Sequence, residues 1–258
     1  MEKLTIVKIG GRILEENDKL HLALKQFTLI DGYKILVHGG GKLASQVSNQ
    51  MGVLPKMIEG RRITDSDSLK VVQMVYAGLI NSNIVAHLQS LNCNAMGMTG
   101  ADGDLIFAGK RPVKKIDFGY VGDIKKVNTS FLTQLLQINI VPVICAITHD
   151  GKGQILNTNA DTITAKLGIA LSAENKFNVD LVFCFEKNGV LRDIEDNHSL
   201  IPVIDEKNYT ELIENRIIAD GMIPKIDNAF DALHKGVSNV FIKNYSDLGS
   251  NSGTRIHL

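Results

Sequence analysis

Short runs of β-branched and aliphatic residues alternate along the chain with longer stretches whose apolar residues recur every three or four positions. Residues 4–9 form the first run, which stops at Gly10 and Gly11. The periodicity then predicts a helix around residues 19–27, a strand over 34–37 ending at His38-Gly39-Gly40-Gly41, and a helix over 42–51. Residues 65–91 read as one long helix, with Val71, Val72, Val75, Leu79, Ile80, Ile84 and Leu88 on one face and Asp65 and Asp67 at the dipole-positive start. A strand follows at 94–98, and the glycine-rich stretch 102–126 reads as hairpins at one edge of a sheet. Helices at 131–137, 161–173, 209–214 and 225–234 then alternate with strands at 140–147, 181–185 and 240–242. The polar segments 188–199 and 244–254 read as exposed loops.

Strand–helix alternation with nearly continuous apolar strands predicts a mainly parallel sheet covered by helices. In such sheets ligands bind beyond the carboxyl ends of the strands, so chemistry is sought where strands stop. Composition leaves this picture intact: 44% hydrophobic and 22% charged residues are enough for a sizeable core and exclude wholesale disorder. Lys plus Arg is 28 and Asp plus Glu is 28, so net charge gives no reason to expect nucleic acid or an anionic membrane. No window is expected to be apolar enough for a membrane span, and residues 1–11 show no signal-peptide core. Cys93, Cys145 and Cys184 lie far apart in apolar runs, as buried reduced thiols of a cytosolic protein do.

Several motifs stand at strand ends. Lys8 precedes Gly10 and Gly11, whose backbone N–H groups could approach an anion closely. His38-Gly39-Gly40-Gly41 opens a helix, where the dipole also favours an anion. A lipase-type oxyanion turn would need a G-x-S-x-G elbow, and none is present. Gly39, Gly41 and Ala44 satisfy a dinucleotide fingerprint, with Glu59 near the position of its acid, although Pro55 interrupts the approach. A Walker sequence is absent, since Leu43 follows Lys42. Arg61 and Arg62 form either a basic loop or a bidentate carboxylate clamp. In Asn157-Thr158-Asn159-Ala160-Asp161, Asn159 fits a helix cap and Asp161 a first-turn acid, leaving Asn157 unexplained. Lys225 would lie in a first helical turn, where a cation is unfavourable unless an anion joins it.

Taken together and in this order, Lys8-Ile9-Gly10-Gly11, His38-Gly39-Gly40-Gly41, Gly60-Arg61-Arg62-Ile63-Thr64, residues 157–161 and residues 219–225 resemble the amino acid kinase family over essentially the whole chain. The first motif is shared with aspartate, uridylate, carbamate and glutamate 5-kinases, whereas the Arg62 and Asn157 motifs resemble members acting on N-acetyl-L-glutamate. The resemblance implies a three-layer α/β/α sandwich, with residues 1–150 holding the acyl-amino acid and the dimer contact and residues 151–258 holding ATP. It implies ATP-dependent phosphorylation of the γ-carboxylate, the second step of arginine synthesis. It assigns Lys8 and Lys225 to charge stabilisation and Asp161 to organising them. Gly40, Gly41, Arg62 and Asn157 would bind the acyl-amino acid. Gly10, Gly11, Glu186, Gly189, Ile217, Ile218 and Ala219 would bind ATP. Mg²⁺ would ride on the phosphates, with no dedicated metal residues.

Two features set expectations beyond the motifs. Family members usually end the strand after the Asp161 helix in a hydroxyl residue and Asp, whereas this chain has Phe185 and Glu186, so nucleotide contacts should be rearranged. Arginine-inhibited members of the family carry an extra helix before the first strand, whereas the first strand here begins at residue 4 with none before it, so the resemblance implies a homodimer rather than a hexameric ring and no arginine feedback; a cytoplasmic location is expected as well. The alternatives are a kinase for a related acceptor such as N-succinyl-L-glutamate and a silent amino acid sensor. The sensor predicts loss of charge at Lys8, Asp161 or Lys225, and all three charges are present.

Overall fold

From the N-terminus the chain forms β1 (Glu2–Ile9), a 3-10 turn (Gly11–Leu14), α1 (Asn17–Thr28), β2 (Tyr33–His38) and α2 (Gly41–Gln50). A hairpin of β3 (Lys56–Ile58) and β4 (Arg61–Ile63) leads into α3 (Ser66–Gln73), a π-helical segment (Met74–Ile80) and α4 (Asn81–Ser90). Next come β5 (Ala95–Met98), β6 (Ile106–Lys110), β7 (Gly122–Val127), α5 (Thr129–Gln137), β8 (Val141–Cys145), β9 (Ile147–His149) and β10 (Ile155–Asn157). The last stretch holds α6 (Ala160–Ala173), β11 (Phe177–Phe185), β12 (Val203–Ile204), α7 (Glu206–Glu214), α8 (Ile223–His234), β13 (Asn239–Asn244) and β14 (Thr254–Ile256). The structure is a computed structural model and describes every residue except Glu59, residues 219–221 and Asn251. The fold class is the expected three-layer α/β/α arrangement with mainly parallel strands.

The chain divides into two compact units, Met1–Ile35 with Thr164–Leu258, and Leu36–Ile163. The first strand therefore packs with residues of the C-terminal half. In the first unit the strand order is β12-β14-β13-β11-β1. β1, β11 and β13 run parallel, with Lys8 opposite Phe183 and Phe185 opposite Asn244. Successive residues Leu4, Thr5, Ile6 and Val7 are all buried, so both faces of β1 are covered. Helix α6 approaches β11 closely because Gly168 has no side chain; a Cβ there would meet Leu181 Cδ2 at 2.7 Å.

In the second unit β2, β8 and β5 are parallel neighbours in that order. The strand expected over 140–147 is shorter than predicted: the chain leaves β8 after Cys145, bends at Ala146 and enters β9 in a different sheet. That sheet has the order β10-β9-β6-β7, so the β6–β7 pair within residues 102–126 stands at one edge of a sheet, as expected. The antiparallel β6–β7 pair joins that sheet through β9. The long helix also differs from its reading as one α-helix, since residues 74–80 widen to π-helical pairing. Asp65 caps its start as expected, accepting from Ser68 N at 2.9 Å. By length and composition alone Ser66–Ser90 passes for a membrane span, against expectation. Val71, Val72, Val75, Ile84 and Leu88 are nevertheless buried in this unit, as in a core helix of a folded protein.

In the first unit the loop after β11 is held by Thr254, which is fully buried. Its Oγ1 accepts from Val190 N at 2.8 Å and donates to Ile201 O at 2.7 Å. Thr254→Val should strand both backbone partners and lower stability by about 1–3 kcal/mol, read as a lower urea midpoint at unchanged slope. An unchanged midpoint would show that the two bonds do not hold the loop.

Candidate functional site

The second unit gathers the residues expected to bind a carboxylate. Helix α2 starts at Gly41, directly after Gly40, whose φ of 149° is open to glycine and strained for other residues. A Cβ on Gly40 would overlap Ile80 Cδ1 and lie 3.1 Å from the Tyr76 ring. The π-helical segment thus supplies both side chains that close over this turn, a widened register of the kind found at functional sites.

Arg62, on β4, is 7% exposed. Its Nη2 donates to Gly41 O at 2.8 Å and to Ser45 Oγ at 2.6 Å, which ties the guanidinium to the first turn of α2. Its Nη1 is buried without a hydrogen-bond partner. Arg61 is exposed, so the hairpin register, which sets Met57 opposite Arg62, selects one arginine of the pair. Two residues on, Thr64 Oγ1 accepts from Asn157 Nδ2 at 3.0 Å, joining the Arg62 strand to the Asn157 segment. Asn159 is the helix cap it was read as, accepting from Thr162 N at 2.9 Å. Asp161 is buried in the first turn of α6. Tyr76 is buried deeply enough to push its phenol up to about 12, so it stays neutral beside the glycine turn.

His38 fixes the start of that turn. It is fully buried between Gly39 O, 2.9 Å from Nδ1, and Asn81 Nδ2, 3.0 Å from Nε2. Asn81 also directs Nδ2 to Val143 O at 3.0 Å. Because the amide donates, Nε2 accepts and the Nδ1 proton goes to Gly39 O.

Lys8 and Lys225 both belong to the first unit. Lys8, at the end of β1, folds over Gly10; a Cβ on Gly10 would come within 2.5 Å of Lys8 Nζ. Gly10 is extended, so its missing side chain serves space rather than backbone conformation. Gly11 has φ 65° and opens the 3-10 turn in the exposed connection. Burial raises the Cys184 thiol to about 12, against an opposing pull from the Lys8 charge. Lys225 lies in the first turn of α8, with Nζ 5.6 Å from the centroid of the Phe185 ring. Glu186 pairs with Lys19 of α1 at 3.3 Å. Gly189 is packed into the Thr254 loop, where a Cβ would meet Leu200 Cδ1 at 2.7 Å. Ile217 and Ile218 close the turn after α7, both amides bonding to Leu212 O. Ala219 lies outside the described residues, as do Asp220, Gly221 and Glu59.

A model of the amino acid kinase family matches residues 3–244. The chain belongs to the amino acid kinase family. The acetylglutamate kinase of Phocaeicola vulgatus is 53% identical over 255 residues, 99% of this chain and 98% of that protein. That of Bacteroides thetaiotaomicron is 51% identical over 99% of this chain and 98% of its own length. A carbamate kinase from Giardia lamblia bound to AMP-PNP superposes with a TM-score of 0.71, covering 98% of both chains at 16% identity, a likeness of fold alone. As an amino acid kinase this chain is an enzyme, and the glycine turns are those of the family rather than a dinucleotide fingerprint. Sequence reading missed Ser45, Tyr76, Asn81 and Lys19. Thr64 stood inside a quoted motif without a role; the others carry no local signal, because their partners are distant in sequence.

Burial lowers the His38 pKa to about 4 from an ordinary 6.5. Its contribution to stability is therefore present above pH 6.5 and is lost as pH falls toward 4, because the unfolded chain takes up the proton first. The wild-type protein should lose about 2 kcal/mol by pH 5 from this group. In denaturant titrations His38→Gln should show a correspondingly shallower fall between pH 7 and 5. Parallel pH profiles would contradict the buried neutral histidine.

Proposed function

We propose that the enzyme phosphorylates the γ-carboxylate of N-acetyl-L-glutamate with ATP, yielding N-acetyl-L-glutamyl 5-phosphate for arginine synthesis. The relatives named acetylglutamate kinase, aligned over nearly the whole chain, support this reaction. The observation that carries the substrate's recognition is the buried Arg62 guanidinium, anchored by one nitrogen and unpartnered at the other. An α-carboxylate would supply the acceptor that this nitrogen lacks. Asn157, oriented by Thr64, would hold the amide of the substrate, and Gly40 and Gly41 would flank its γ-carboxylate.

The acceptor is already an anion, so the reaction needs no general base. Its barrier is repulsion between carboxylate and triphosphate, which positioning and cations reduce. Lys8 would bridge the attacking oxygen and the transferring phosphoryl group, Lys225 would stabilise the leaving side, and Asp161 would keep both lysines oriented and protonated. Gly10, Gly11 and Gly40 would give backbone N–H groups to phosphate. Glu186, Gly189, Ile217, Ile218 and Ala219 would form the nucleotide surround, with Lys19 steering Glu186.

Among the described residues no group of three His, Cys, Asp or Glu side chains could hold a metal. The lysine ammoniums and glycine amides suit phosphate oxygens, which fits Mg²⁺ arriving on ATP. There it would neutralise phosphate charge. The segment 1–150 would serve the acyl-amino acid and 151–258 the nucleotide. The protein would act as a cytoplasmic homodimer.

Trapping acyl phosphate with hydroxylamine tests the reaction. With ATP and Mg²⁺, N-acetyl-L-glutamate should turn over, while L-glutamate and L-aspartate should not; preference for N-succinyl-L-glutamate would correct the acyl group. Lys8→Ala and Lys225→Ala should lower kcat by about a hundredfold or more with little change in KM. Gly10→Ala should fold normally yet lose kcat, since its methyl displaces the flexible end of Lys8. Normal turnover in Lys225→Ala would refute the two-lysine account.

A further inference from the structure

The end of β11 is held more firmly than a strand terminus requires. Phe185 O accepts from Tyr245 N at 2.9 Å, and Glu186 O accepts from Asn244 Nδ2 at 2.9 Å. The Glu186 carboxylate is tied to Lys19 at 3.3 Å. Phe185 thus projects from backbone fixed on both sides, and it is only partly buried, so core packing does not dictate its ring.

What lies near that ring is the Lys225 ammonium, 5.6 Å from the centroid. That is within cation–π range, about 6 Å. Lys225 occupies the first turn of α8, where the helix dipole repels a cation. The negative face of an aromatic ring offsets that repulsion without adding a formal charge that would oppose a phosphate.

We propose that Phe185 is a positioning residue whose ring holds the Lys225 ammonium for phosphoryl transfer. The proposal rests on the kinase reading of Lys225. The ring touches no reacting atom; its effect passes through the lysine.

Two measurements test it on the full-length protein. In the first, acyl-phosphate formation from ATP and N-acetyl-L-glutamate is followed in Phe185→Leu, Phe185→Tyr and a series carrying one, two and three ring fluorines at position 185. Phe185→Leu should lower kcat roughly three- to thirtyfold with KM for N-acetyl-L-glutamate unchanged. Phe185→Tyr should restore it to within about twofold, and log kcat should fall stepwise with fluorination, which weakens the ring face while nearly preserving its size. In the second, the Lys225 ε-methylene protons should show an upfield ring-current shift that Phe185→Leu abolishes. Wild-type kcat in Phe185→Leu, a flat fluorine series, or no ring-current shift would each overturn the proposal. The magnetic-resonance measurement needs no turnover. Failure of wild-type protein to phosphorylate any acylglutamate would remove the kinase reading, while the shift would still judge the ring–ammonium contact.

Discussion

A guanidinium buried with one nitrogen unpartnered is the constraint around which the second unit is organised. Removing a charge from water costs several kcal/mol unless hydrogen bonds and an opposite charge replace the lost solvent. Arg62 recovers part of that from Gly41 O and Ser45 Oγ. Those bonds require the first turn of α2 to face β4, which in turn requires the backbone conformation that Gly40 adopts. Ile80 and Tyr76 can close on that turn only because Gly40 has no side chain. Burial keeps Tyr76 neutral, so the enclosure adds no negative charge against an incoming carboxylate. His38 pins Gly39 from below, again as a neutral group. Apart from Arg62 itself, the turn is thus enclosed by uncharged groups.

The first unit answers a different electrostatic problem. Adjacent parallel strands carry Lys8 and the Phe185–Glu186 pair at their carboxyl ends, where open α/β sheets place ligand-binding residues. Glycine at position 10 gives the Lys8 ammonium room to lie against the backbone. Lys225 adds a cation where the α8 dipole already favours an anion. The chain's zero net charge therefore says nothing of where its cations stand.

Much of this was legible in the sequence because glycines and cations at strand ends are local signals. The alternating pattern fixed the parallel core, and Asp65 and Asn159 were readable as caps because capping is decided within three residues. What escaped depends on pairing at a distance. β3 and β4 have three residues each, too few for a periodicity, so the sequence could not say that Arg62 points inward and Arg61 outward. The widening at residues 74–80 leaves apolar spacing nearly helical, so Tyr76 looked like any core residue. The passage from β8 to β9 at Ala146 is concealed by an unbroken apolar run. The resemblance singled out the exchange at Phe185 and Glu186, while the partners that give it meaning, Lys225 and Lys19, became visible only in three dimensions.

The most direct test of the account's central claim is a binding cycle between one side chain and one ligand group. N-acetyl-L-glutamate and its α-amide would be titrated calorimetrically into the wild-type protein and into Arg62→Ala, with the fold of both checked by circular dichroism. If Arg62 receives the α-carboxylate, wild type should bind the α-amide at least about tenfold more weakly, as loss of a charged hydrogen-bonded pair implies. Arg62→Ala should bind the two ligands equally. The same discrimination in both proteins would show that the α-carboxylate is recognised elsewhere and would contradict the account.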